Sequence, residues 1–247
     1  MPSYNSKDFI AESIKSVIDQ SYENWELITS DDNSTDKTID IIKAFQAKDS
    51  RIKLLKSKKN SGPAVTRNLA IKHAKGRYIA FLDSDDLWAK DKLQKQILFM
   101  MKEKVALCYA RYSFIDEQGS FVNNAPILPS KINYNSLLRN QVIGCLTAVY
   151  DTKICGKVYM PLIKKRQDFG LWLKILKKVE FAFCCNEVIA TYRIRKNSVS
   201  SNKFVAVYYT WKLFREFEHL SIIKSAICIV SYILRKIIRT TRSKFAA

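Results

Sequence analysis

Three carboxylates stand within four positions, at Asp83, Asp85 and Asp86. Left to themselves they would repel one another, so they call for a cation or a set of donors. A hard divalent ion such as Mg2+ or Mn2+ suits oxygen ligands, and it commonly takes one or two protein carboxylates together with substrate phosphates. The same residues would equally serve as a solvated helix N-cap. Asp31-Asp32-Asn33-Ser34 carries the same two readings, a binding cluster or a strand-to-helix turn. Asp168 follows Lys164, Lys165 and Arg166. It could take a proton from a weak nucleophile, or it could be a first-turn carboxylate stabilised by a helix dipole. His73 and His219 stand alone, and the 6 cysteines have no CxxC spacing, so neither a zinc site nor a redox motif is indicated.

The elements that must position these groups alternate. Ile10, Ile14, Val17 and Ile18 recur at helical spacing behind Asn5 and Ser6 as cap candidates. Trp25 to Thr29 reads as a strand that runs into the Asp31 cluster, and the next helix carries Ile39, Ile42 and Phe45. Arg51 to Leu55 is another strand. Pro63 stands at the first position of a third helix, which Gly76 is expected to close as its C′ residue. Arg77 to Leu82 is a compact apolar run that delivers Asp83 at its end, as a buried parallel strand would. A helix over 90–103 and a strand over 105–110 continue the pattern. Both acidic clusters thus fall at the carboxyl ends of strands in an α/β sheet, where ligands bind. Further on, a helix is expected near 168–178 and two strands near 179–185 and 187–193. A strand before the first helix is missing or truncated, since only Met1 to Tyr4 precede it.

Five segments stand in order: Pro2-Ser3-Tyr4-Asn5, Asp31 to Asp36, Gly62 to Asn68, Tyr78 to Asp86, and Gln167 to Trp172. Together they resemble the family 2 glycosyltransferases of the GT-A fold, over roughly residues 1–200, and the series is far more specific than any single motif. The resemblance implies a mostly parallel Rossmann-like sheet flanked by helices, a UDP-sugar or other nucleotide-sugar donor, and inversion at the anomeric carbon. It implies that Pro2 and Tyr4 line the base pocket, that Asp32 accepts from the uracil edge, and that Arg67 reaches the base or phosphates. Asp83 would contact the ribose, Asp85 would ligate Mn2+ or Mg2+ on the diphosphate, and Asp168 would be the general base. Gln167 departs from the Glu often found there. The stretch Tyr192 to Ser200 resembles a late loop of many bacterial members, in which Arg193, Arg195 or Lys196 would clamp diphosphate oxygens; it also reads as a basic strand end. A lipid-linked or glycan acceptor in cell-surface polysaccharide or lipopolysaccharide synthesis would follow. A nucleotidyltransferase is the rival enzyme class, weakened by the lack of an N-terminal Gly-rich phosphate loop, and a relative impaired by its truncated first strand is another alternative.

The chain of 247 residues carries 42 Lys and Arg against 23 Asp and Glu, a formal charge of +19. Residues 1–124 hold 20 basic and 17 acidic side chains, whereas residues 125–247 hold 22 and 6. The near-neutral first half argues against nucleic acid as a partner, because a basic stripe over the folded domain would be required. With 47% hydrophobic residues and only 6 Gly and 5 Pro, the chain is no disordered basic tail. The divisions expected are a nucleotide-binding half over 1–110, an acceptor half over 111–200, and a basic amphipathic tail over 201–247. From His219 onward there are six basic residues and no acidic one. The longest uncharged run there, Ser225 to Leu234, is too short to span a bilayer, which takes about 20 residues. An interfacial helix on an anionic membrane is expected, the alternative being that its apolar face packs on the domain. No secretory signal is read at the N-terminus, so a cytoplasmic location, peripheral on the inner membrane, is expected.

Overall fold

The computed structural model describes the backbone of residues 1–123, 127–195 and 203–245, and side chains as far as Arg235, Lys203 excepted. A 3-stranded sheet orders β1 (Pro2–Ser3), β2 (Leu27–Asp31) and β3 (Ile52–Lys56), all parallel. The first strand is therefore present, two residues long, with Pro2 opposite Ser30 and Ser3 opposite Asp31. Bonds from the Ser30 amide to the Met1 carbonyl (2.8 Å) and from the Asp32 amide to the Ser3 carbonyl (2.9 Å) extend the ladder at both ends. Helices α1 (Ile10–Ile18) and α2 (Thr38–Gln46) bury Ile10, Ile14, Val17 and Ile42 against Leu27 and Ile52. Ser6 starts α1 with its carbonyl, which accepts from the amides of Phe9 and Ile10, and not with its side chain.

Helix α3 (Pro63–His73) begins at Pro63, directly after Gly62 at φ 89°. It ends at Ala74 in extended conformation, so Gly76 is not its C′ residue; the Gly76 amide instead donates to the Glu26 carboxylate at 3.1 Å. The second sheet has the order β4 (Tyr78–Ala80), β9 (Val149–Asp151), β6 (Leu107–Ile115), β10 (Ala182–Arg193), β5 (Leu87–Trp88). Within it only β6 and β10 run parallel; β4–β9, β9–β6 and β10–β5 are antiparallel. The short β7 (Phe121–Asn123) and β8 (Lys131–Ile132) add antiparallel to β6 and β10. The parallel alternation of the first half thus gives way to a mixed sheet, in which β9 runs antiparallel to both β4 and β6, and the turn through Gly119 at φ 87° adds the β6–β7 hairpin. The two strands expected over 179–193 are one, β10. Register shifts between Cys185 and Val188 and between Val188 and Thr191 absorb the solvent-facing Asn186-Glu187 pair without breaking the strand.

Helices α4 (Lys92–Lys102), α5 (Tyr134–Arg139), the single turn α6 (Thr152–Cys155) and α7 (Gln167–Leu176) complete the domain. The main core gathers Phe81, Tyr109, Tyr150 and the apolar face of α7, with the Phe81 and Trp172 rings edge to face at 5.6 Å. Beyond residue 200 follow α8 (Lys203–Lys212), a π-helical turn over Leu213–Phe217, and α9 (Ile222–Phe245). Leu213, Phe214, Leu220 and Cys228 join the main core, so part of the tail is built into the domain. Helix α9 docks through Ser225, Cys228 and Ile229, while Ile222, Ile223, Ile227 and Val230 stay exposed. The face on the domain is thus not the most apolar one. No helix among the described residues is long and apolar enough to cross a membrane.

Candidate active site

Four elements deliver the site. Asp31 and Asp32 end β2, Asp83 lies three residues past β4, Arg67 projects from the first turns of α3, and Asp168 sits in the first turn of α7. Asp31 is fully buried and accepts from the hydroxyl of Ser3 (2.9 Å) and from the amide and hydroxyl of Ser34 (2.8 and 2.6 Å). It therefore ties the β1 end to the turn after β2. Asp32 accepts from the amides of Ser61 (2.9 Å) and Gly62 (2.7 Å), so it braces the loop entering α3. Any bond from a base edge must share oxygens already used this way. Pro2 lies in β1, and Tyr4 follows it, half exposed.

Arg67 is buried and donates to the Asp83 carboxylate at 2.5 Å. Burial alone would lower its pKa, but the Asp83 carboxylate, with Asp168 contributing, raises it above the ordinary value. Its Nε–H is buried without a partner among the described residues, which leaves a donor for a ligand or an ordered water. Asp85 is opposed by the guanidinium of Arg195 at 3.1 Å. Burial, then the charge of Asp83, raises the Asp85 carboxyl above its usual range, and Arg195 only partly offsets this. Asp86 is pushed well up by burial and by its two acidic neighbours, although the Arg193 amide donates to it at 2.9 Å. This is an excess of desolvated negative charge, and oxygen donors in that state fit a hard cation. No group of three or more His, Cys, Asp or Glu side chains that could hold a metal ion occurs among the described residues.

The expected clamp divides. Arg193 is only 3% exposed and heavily engaged. Its side chain donates to Glu12 (2.6 Å), to the Asp85 carbonyl (3.0 Å), and to the carbonyls of Asp116 and Glu117 (3.4 and 3.2 Å). It is a brace joining α1, the carboxylate loop and the turn after β6, and so has no free donor set for a diphosphate. Arg195 is the accessible cation, and Lys196 lies outside the described residues. Both guanidiniums pack near the Phe9 ring, at 5.1 and 4.9 Å from its centroid.

Asp168 makes no hydrogen bond or ion pair with any described residue, and its charge is felt at Arg67 and at Cys145. Cys145 is the residue that motif reasoning misses. Its thiol lies within electrostatic reach of Arg67, Asp83, Asp168 and Asp86, and burial pushes it well above the usual thiol range, so it remains a neutral wall of the site. A lone Cys at the start of a single 3-10 turn over Cys145–Thr147 carries no signal that could have placed it. Upstream, Arg166 holds the start of α7 in a left-handed conformation, φ 69°, and donates to the Gln141 side chain at 2.5 Å.

The axial position of Asp168 depends on Gly170, where a Cβ would lie 2.4 Å from Cγ of Pro161 and 3.0 Å from Leu213. A proline ring cannot rotate away, so Gly170→Ala should displace the start of α7. We expect a loss of about 1–3 kcal/mol in chemical denaturation together with impaired turnover; unchanged stability would show that the contact yields.

Residues 1–155 match the family model Glycosyl transferase family 2. The chain belongs to that family. It is 45% identical over 231 residues to TuaG of Bacillus subtilis, named provisionally as a teichuronic acid biosynthesis glycosyltransferase, covering 94% of this chain and 92% of that one. It is 40% identical over 242 residues to WfgD of Escherichia coli, a UDP-Glc:alpha-D-GlcNAc-diphosphoundecaprenol beta-1,3-glucosyltransferase, covering 96% and 90%. Among solved structures, TarS 1-349 of S. aureus in complex with UDP-GlcNAc superposes with a TM-score of 0.72 at 20% identity, over 94% of this chain and 70% of that one. The protein is a glycosyltransferase of the GT-A fold, as the five motifs imply. The nucleotidyltransferase alternative falls with this assignment.

Proposed function

We propose that this family 2 glycosyltransferase moves a sugar from a UDP-sugar onto a hydroxyl of a lipid-linked glycan, by one inverting displacement, at the cytoplasmic face of the membrane. The observation that carries the reading is the ion pair of the buried Arg67 with the half-buried Asp83, beside an unengaged Asp168 carboxylate close enough to influence it. One end recognises a nucleotide and the other can accept a proton. A sugar hydroxyl is a poor nucleophile, and a carboxylate positioned to take its proton as attack proceeds lowers the barrier. Attack opposite the leaving group in a single step inverts the anomeric centre, the logic that separates inverting from retaining glycoside hydrolysis.

Asp85 is the residue proposed to hold Mg2+ or Mn2+, which would supply charge neutralisation at the departing diphosphate. Arg195 would add to that neutralisation from the accessible side, as a charge-assisted donor to phosphate oxygen. The carbonyl-bound Arg193 keeps the carboxylate loop in place. The donor and the acceptor class are supported by the relatives' names, which specify UDP-Glc and a diphosphoundecaprenol acceptor for WfgD and WfaP of Escherichia coli. Membrane contact is supported by the bare apolar face of α9 and the excess of basic residues after residue 124.

A UDP-release assay over a panel of UDP-sugars, with and without Mn2+ or Mg2+, tests the reading. Turnover is expected to need the metal, and Asp85→Ala is expected to lose about 100-fold or more while also losing Mn2+ binding measured by electron paramagnetic resonance in the presence of UDP. Full activity after chelation would overturn the metal's role, and full activity in Asp85→Ala would overturn the residue's.

A further inference from the structure

We propose that the cleft between α5 and α9 binds the phosphate of an anionic membrane lipid, which makes it the headgroup site of a peripheral membrane surface. The inference rests on the membrane reading above and adds a specific site to it. Lys131, Arg139, Lys224 and Arg235 line one cavity of about 530 Å³, with Asn135 and Ser136 beside them and no carboxylate in the lining. None of the four is in an ion pair among the described residues. Lys131 only rests its ammonium over the Phe181 ring, at 4.5 Å. Where a carboxylate is within reach, cations of this protein do pair, as Lys177 does with Glu218 at 2.6 Å and Arg77 with Asp151 at 2.7 Å; here four stand together with none among the described residues. Four converging cations with hydroxyl and amide donors and no counter-charge ask for a multivalent oxyanion, and phosphate is the common one.

The helix geometry selects a lipid over a free phosphate. Lys224 and Arg235 are eleven positions apart and so, at about 100° per residue, project within about 20° of each other. On one side of that line lie Ser225 and Cys228, which dock on the domain. On the other lie Ile223, Ile227, Val230 and Leu234, exposed by 74%, 52%, 55% and 54%. The cleft therefore opens at the edge of a bare apolar band. A helix lying in the interface places its apolar band among acyl chains and its basic border at the phosphates. A soluble phosphate would make no use of that band.

Flotation of the full chain with phosphatidylcholine vesicles, with and without phosphatidylglycerol, tests the site. The cleft variant Arg139→Gln/Lys224→Gln/Arg235→Gln changes only exposed side chains and should keep the melting temperature. Its charge-matched control is Lys48→Gln/Lys58→Gln/Lys59→Gln, at exposed positions outside the cleft. The wild type should bind only vesicles containing phosphatidylglycerol. The cleft variant should lose about tenfold or more in partitioning and the control less than about twofold. Equal losses in both, or none in the cleft variant, would overturn the site while leaving the membrane reading intact. A wild type that binds neither vesicle sinks both. Ile223→Ser/Val230→Ser should also weaken binding; unchanged binding would show that the apolar band takes no part and would overturn the lipid assignment.

Discussion

Asp168→Asn is expected to lower the rate of sugar transfer by about 10²–10⁴-fold, the range general-base removal covers, or about 3–5 kcal/mol of transition-state stabilisation. Asparagine keeps the shape and removes the basicity, and no hydrogen bond or ion pair among the described residues depends on the carboxylate. The competing role is that of a first-turn acidic residue favoured by the α7 dipole. That role is worth at most about 2 kcal/mol at a partly buried position, so it would appear as a drop in melting temperature with a proportionate loss of active protein. The two roles separate cleanly in single-turnover measurements. A base predicts slow chemistry with UDP-sugar affinity within about threefold of wild type. A transfer rate within tenfold of wild type would remove Asp168 from the reaction.

The candidate site was legible as a series of short local patterns that the fold brings together. Asp32, Arg67, Asp83, Asp85 and Asp168 come from four separate segments, and the fold brings Arg67 onto Asp83 across 16 positions and Asp168 into their field. What could not be read is the fate of a side chain whose partners are distant in sequence. Arg193 looks like a basic strand end, yet Glu12, 181 positions away, and the carbonyls of Asp85, Asp116 and Glu117 occupy four of its five donors. Nothing near position 193 announces this.

The fold divides in the same way. The helices and parallel strands of the first half follow from periodicity, because each strand buries a local apolar run and each helix returns the chain beside it. The antiparallel insertion of β9 between β4 and β6 does not follow, since Ile79 meets Tyr150 and Leu107 meets Tyr150 only through long-range closure. The unbroken β10 was hidden for a related reason. Asn186-Glu187 has the composition of a turn, but the ladder to β6 outweighs it and leaves a register shift in place of a reversal. On α9 the apolar and basic residues do segregate, but the side that docks carries the buried Ser225 and Cys228 and leaves Ile223, Ile227 and Val230 exposed.

Lys92→Met should stabilise the protein, and by an amount that shrinks as pH rises. Lys92 is fully buried in the first turn of α4, and its ammonium has no hydrogen-bond partner among the described residues. It lies 3.8 Å from the Trp88 ring centroid, and that ring's indole nitrogen is already committed to the Leu146 carbonyl. Burial lowers its pKa from 10.5 to about 7, with only the thiols of Cys108 and Cys145 as weakly opposing neighbours. A desolvated cation–π contact returns about 2 kcal/mol, whereas this shift corresponds to a ceiling of about 5 kcal/mol at about 1.4 per unit, so desolvation wins. The folded pKa lies below the unfolded one; between about 7 and 10.5 the unfolded chain therefore holds a proton that the native protein lacks, and wild-type stability rises with pH through that window. A methionine has nothing to titrate and fills the same channel. The difference in unfolding free energy between Lys92→Met and wild type should be largest below about pH 7, where it levels off, and should narrow by about 2–3 kcal/mol between pH 7 and pH 9. Other titrating groups cancel in that difference. A gap independent of pH would mean that Lys92 keeps its charge in the folded state, and a destabilised variant would mean that the Trp88 contact outweighs the cost of burial.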